Sequence, residues 1–105
     1  MYSEKETLTR VAGLSARRLH IWLERGWISA THDPNGLRFG DIDVARLQLI
    51  CTLQDDMEVD EDLLPTLLSL LDQVYGLRRE LRGVLHAIAA QPEGVRHDIM
   101  ARIQT

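Results

Sequence analysis

The chain has 105 residues, 45% of them hydrophobic and 27% charged. This balance excludes global disorder and fits one small domain, alone or with a helical appendage. Residues 1–46 carry seven Lys/Arg against six Asp/Glu, whereas residues 47–105 carry five against ten, for a whole-chain charge of −4 at pH 7. A domain that lives on DNA phosphates usually shows a basic stripe; here the stripe is weak, and the acidic second half suits a basic partner or serves solubility.

The start, Met1 to Glu6, lacks the apolar run of a secretory signal, and no stretch approaches transmembrane length without a charge. A cytoplasmic protein is therefore expected. One cysteine, Cys51, excludes an internal disulfide. Within the apolar run Leu47 to Leu53 it reads as a buried small hydrophobe.

Glu6 to Ala12 reads as a first short helix, with Leu8, Val11 and Ala12 on one face. Gly13 permits a tight turn, and Ser15 caps a second helix over Ala16 to Arg25. Leu19, Trp22 and Leu23 form its inner face, and Gly26 stops it. Trp27-Ile28-Ser29 and Leu37-Arg38-Phe39 are expected as strands around a loop that contains Asp33-Pro34-Asn35-Gly36. A third helix is expected from about Asp41 to Asp55, capped by Gly40 or Asp41. It is apolar nearly all round, which suggests a helix sandwiched between other elements.

A charged link, residues 56–62, follows the first domain, residues 1–55. A long helix is then expected over 63–90, with Pro65 in its first turn, where the missing N–H is harmless. Leu67, Leu70, Val74, Leu77, Leu81, Val84 and Ile88 recur at alternating spacings of three and four, a heptad seam. Leu63, Leu64, Leu68, Leu71 and Tyr75 form a second stripe able to pack on the first domain. A lone helix of this length cannot satisfy its seam in so small a monomer, so pairing with a second copy is the simplest remedy. In the tail, 91–105, Val95, Ile99, Met100 and Ile103 allow a short helix.

Catalysis has little support. His20, His32, His86 and His97 are scattered, no pair has metal-ligand spacing, Cys51 stands alone, and no glycine-rich phosphate loop occurs. No cofactor or metal is expected, and no enzymatic activity. The helix–turn–helix with its hairpin suggests another use: the second helix of such a unit enters the DNA major groove while the wing straddles the backbone. Arg17, Arg18 and His20 on the helix, with His32 and Arg38 on the wing, are the candidate DNA contacts. The same fold also serves as a plain scaffold, and the same arginines can simply solvate a helix face.

Residues Ile21 to Ile28, Gly36 to Asp43 and Ala45-Arg46-Leu47 carry a resemblance to the MerR-like winged helix, over roughly Thr9 to Leu53. The resemblance implies a mostly α fold: a winged helix–turn–helix with a short β-hairpin wing and a long C-terminal dimerisation helix. It also implies a dimeric transcription regulator. The segments Phe39-Gly40-Asp41, Asp56 to Asp60 and Leu68 to Leu81 further resemble the CbpM family of bacterial chaperone modulators. That resemblance implies a homodimer that binds the J-domain of a DnaJ-like co-chaperone of the CbpA type and blocks its use of Hsp70. The proline of the link lies elsewhere than in that family, and the tail after Ile88 is longer. The acidic stretch Asp55, Asp56, Glu58, Asp60, Glu61 and Asp62 would receive the basic helix of the J-domain, with Met57, Leu63 and Leu64 as apolar anchors. The plainer account of these acids is a solvated loop whose charges favour the helix dipole. Sequence-specific DNA binding is the alternative function, and a phage- or plasmid-type excision or partition factor a third, which would need a more basic face.

Overall fold

A computed structural model describes residues 1–104. It is mostly helical, with one three-stranded antiparallel sheet, and divides into two compact units, Met1–Leu68 and Ser69 onward. In the first unit the chain runs through β1 (Tyr2–Ser3), α1 (Glu4–Arg10), α2 (Ala16–Glu24), β2 (Thr31–Asp33), β3 (Gly36–Phe39) and α3 (Asp41–Cys51). A π-helical turn (Thr52–Asp56) and a 3₁₀ turn (Glu61–Leu63) lead to α4 (Leu64–Ala89), and α5 (Glu93–Ile103) follows. Strand β3 is central, between β1 and β2.

Local chemistry sets each boundary. Ser3 and Glu6 form a reciprocal capping box: the Glu6 N–H donates to Ser3 Oγ at 3.1 Å, and the Ser3 N–H to Glu6 Oε1 at 3.2 Å. Helix α1 therefore begins at Glu4, two residues before the apolar spacing predicts. Ser15 Oγ accepts from the Arg18 N–H at 3.1 Å and starts α2.

The end of α2 explains a misplaced strand. Gly26 adopts φ +76, its N–H donates to the Leu23 carbonyl at 3.1 Å, and the Trp27 N–H donates to the Trp22 carbonyl at 3.0 Å. This is a Schellman stop, and such stops usually carry an apolar contact between the two residues that close the wider bond. Here that contact is Trp22 against Trp27, stacked with ring centroids 6.4 Å apart. Trp27 and Ile28 are thus buried as part of a helix stop, where the sequence predicted the first strand at Trp27-Ile28-Ser29. The strand lies later, at Thr31–Asp33, and the hairpin turns on two residues, Pro34 and Asn35. His32 opposes Leu37, and Thr31 opposes Arg38.

The core of this unit gathers Val11, Leu19, Trp22, Phe39, Leu47, Ile50, Leu64 and Leu68. Helix α3 buries Val44, Leu47, Ile50 and Cys51, yet leaves Ile42 exposed. It is lodged on one side in this chain, not sandwiched. It also stops as an α-helix at Cys51, short of the expected Asp55, and continues as the π turn.

Helix α4 is unbroken from Leu64 to Ala89, and Pro65 stands in its first turn as expected. The short tail helix exists as α5, begun after Pro92. Thr105, the last residue of the expected tail, lies outside the described residues. None of the described helices is long and apolar enough to cross a membrane.

Candidate functional site

The candidate residues fall into three groups: the outer face of α2 with the wing, the link between α3 and α4, and the heptad seam of α4.

In the first group the cations are mostly engaged within the chain. Arg18 lies four residues before Trp22, so its side chain points along the buried face, and its guanidinium sits 4.8 Å over the Trp22 ring. Nη1 donates to the Gly13 carbonyl and to Asp55 Oδ2, both at 2.9 Å; Nη2 donates to Gln54 Oε1 at 2.7 Å and to Asp55 Oδ1 at 3.1 Å. The two-pronged pairing raises the pKa of Arg18 and lowers that of Asp55. Arg18 is thus a structural residue and no longer a candidate DNA contact.

Arg38 is engaged on the wing. Its Nε donates to Asp33 Oδ2 at 2.7 Å, while Asp33 Oδ1 accepts from the Asn35 N–H at 2.7 Å. Asp33, held below its ordinary pKa first by Arg38 and then by the Asn35 amide, organises the turn. His20 Nε2 lies 2.6 Å from Glu4 Oε1. Of the five candidate DNA contacts, Arg17 and His32 alone are exposed with no carboxylate partner among the described residues.

The candidate partner surface in and beside the link departs from expectation at three positions. Leu64 is fully buried, so it belongs to the core and cannot anchor a partner. Asp55 is committed to Arg18. Glu61 pairs with Arg25, whose guanidinium also lies 5.2 Å over the Trp27 ring. Asp56, Glu58, Asp60 and Asp62 remain exposed and unpaired among the described residues, beside two exposed apolar side chains, Met57 at 63% and Leu63 at 57%.

The backbone of the link is built, not slack. The Met57 N–H reaches the Thr52 carbonyl at 3.1 Å, five residues back, and the Val59 N–H reaches the Leu53 carbonyl at 2.8 Å. Glu58 between them adopts φ +54, the left-handed conformation that ordinarily selects glycine. Nothing in the sequence marked Glu58 as a helix stop, and nothing marked Arg18 as the partner of residues 36 and 37 positions away.

Along the seam, Leu70, Val74, Leu77, Leu81 and Val84 are exposed in the single chain, while Leu67 and Ile88 are half-buried. Of the second stripe, Leu64 and Leu68 are buried, but Leu63 and Tyr75 are exposed. No group of three or more His, Cys, Asp or Glu among the described residues could hold a metal ion. Cys51 is buried, and burial raises its thiol pKa.

No curated protein and no solved structure matches the chain. A comparison with protein families matches residues 6–58 to the MerR HTH family regulatory protein. That match runs from within α1 through the Schellman stop, the wing, α3 and the π turn, just over half of the chain, and the protein therefore belongs to the MerR HTH family.

Proposed function

We propose that the protein is a non-enzymatic interaction module, a homodimer through α4, that binds the J-domain of a CbpA-type co-chaperone at the link and so inhibits its work with Hsp70. One observation carries this reading. The cations of α2 and the wing are largely neutralised within the chain, whereas the link presents four unpaired acids around Met57 and Leu63. Acids around apolar anchors suit a basic, amphipathic helix: the apolar contacts supply affinity, and the charges supply selectivity and rapid encounter. The resemblance of the link and of α4 to the chaperone modulators supports the same choice.

Exposed ion pairs contribute only about 0.2–1 kcal/mol each, so single changes in the link are expected to be mild. Reversing Asp56, Glu58, Asp60 and Asp62 together to Lys turns attraction into repulsion along the whole contact. Calorimetric titration with the J-domain is expected to show affinity falling by at least about tenfold, or 1.4 kcal/mol. The loss should be larger at low salt, where the Debye length is long. Circular dichroism should show an unchanged fold, since all four side chains are exposed. Equal affinity in a folded variant would return these acids to the role of solvated charges.

The second reading is a sequence-specific DNA-binding regulator. Family membership favours it, together with Arg17, which stands exposed on α2. With so few free cations, few phosphates can be neutralised, and binding weaker than about 1 μM at physiological salt is expected, within the range of non-specific association. A gel shift showing tight, sequence-dependent binding that Arg17→Ala abolishes would establish the regulator instead.

A further inference from the structure

Arg18 joins three parts of the first unit that the sequence separates: the turn at Gly13, the ring of Trp22 in α2, and Gln54 with Asp55 in the π turn. Gly13 is shaped for this junction. Its φ is +82, and a Cβ built there would come within 3.1 Å of Asp55 Oδ2, so the turn admits the carboxylate because it has no side chain. The π turn itself is an uncommon conformation, one met mostly as a single turn within or beside an α-helix. It ends on Glu58, a non-glycine residue in the left-handed region. Backbone of this kind persists where its surroundings over-determine it, and Arg18 ties the side chains of the π turn with three hydrogen bonds, its fourth holding the Gly13 carbonyl.

We infer that Arg18 is a latch: it holds the π turn, and with it the course of the link, to the start of α2. The outer face of α2 and the link surface are thereby coupled through one guanidinium. A ligand on either surface that shifts its element by a fraction of an ångström strains the pairing that positions the other. Such coupling is reciprocal, because it is a free energy shared between two surfaces. The latch rests on neither functional reading. Under the first it presents the acids to a J-domain as a formed surface; under the second it ties the DNA-facing helix to the segment leading into α4.

The test is native-state hydrogen exchange by NMR on the full chain, read at the amides of Met57 and Val59, whose acceptors define the turn and its stop. Arg18→Gln and Asp55→Asn are each expected to speed exchange at both amides by at least tenfold, with α1 and β3 unchanged. The double variant should lose no more than the worse single, because one contact has been removed twice. Arg18→Lys should fall between, since an ammonium cannot reproduce the two-pronged pairing or the stacking. Asp56→Asn removes the same charge next door and should change little. Unchanged protection in Asp55→Asn, equal loss in Asp56→Asn, or additive losses in the double variant would each overturn the latch. Should Arg18→Gln unfold the chain, Asp55→Asn and its charge-matched neighbour still decide the matter. Absence of J-domain binding by the wild type would remove the functional reading and leave this result standing.

Discussion

On the proposed pairing through α4, replacing Leu77 and Leu81 by Asp is expected to turn a dimeric wild type into a monomer, read by sedimentation equilibrium. Both side chains are exposed in the single chain, at 64% and 57%, so neither change removes a core side chain from it. In a paired seam the same changes place four carboxylates between two helices. Burying unpaired ions costs several kcal/mol each, and every 1.4 kcal/mol weakens association tenfold. Two such losses carry a dimer of ordinary affinity beyond any working concentration. The monomer should keep its first unit and lose helicity toward the end of α4, because a long helix without a partner frays. Arg79→Asp, off the seam, should leave the mass unchanged. A dimer that survives both seam changes would mean that α4 is not the interface.

Trp22→Ala is expected to be the most damaging single substitution in the first unit. The side chain is nearly fully buried, stacks on Trp27 and carries Arg18 over its ring. Truncation of a buried aromatic side chain to Ala costs about 3–5 kcal/mol, against a total of about 5–15 kcal/mol for a domain. The Schellman stop loses its apolar closure in the same step, and the latch loses the surface on which it rests. Thermal denaturation followed by circular dichroism should show a fall in Tm of more than about 12 °C, at about 4–8 °C per kcal/mol. Trp22→Phe should fall far less. Equal stability of the Ala variant would mean that the indole is not a core element.

The parts of this architecture that were legible in the sequence are those with local causes. Ser15 before an apolar face, Gly26 after one, Pro65 in a first turn and the alternating spacing of Leu70 to Val84 each act within a few residues, and the corresponding elements lie where those signals stand. The wing turn was legible in Asp33 to Gly36, but the strand before it was displaced, because Trp27 and Ile28 have the composition of a strand and are used as a helix stop. Strand β1 left no periodic signal: two residues are too few to show alternation, and their partner lies beyond three intervening elements. In the candidate surfaces the misreadings share one cause. A charge looks available in a sequence until its partner is known: Arg18 with Asp55 and Arg25 with Glu61 are pairings that only the fold brings together, and Arg38 meets Asp33 only once the hairpin has closed. Leu64 differed for a related reason: a leucine beside acids has no local mark that separates an anchor from a core residue.

Tyr2 pairs with Phe39, and Ser3 with Arg38. During synthesis Tyr2 and Ser3 therefore wait until nearly forty more residues have followed before their strand has anything to join. Helix α1 can form meanwhile on its own cap, and α2 on its own stop, since these need only neighbours in sequence. Closing the sheet is then a long-range event, like the later docking of Asp55 on Arg18, and both are slower than the local steps that precede them.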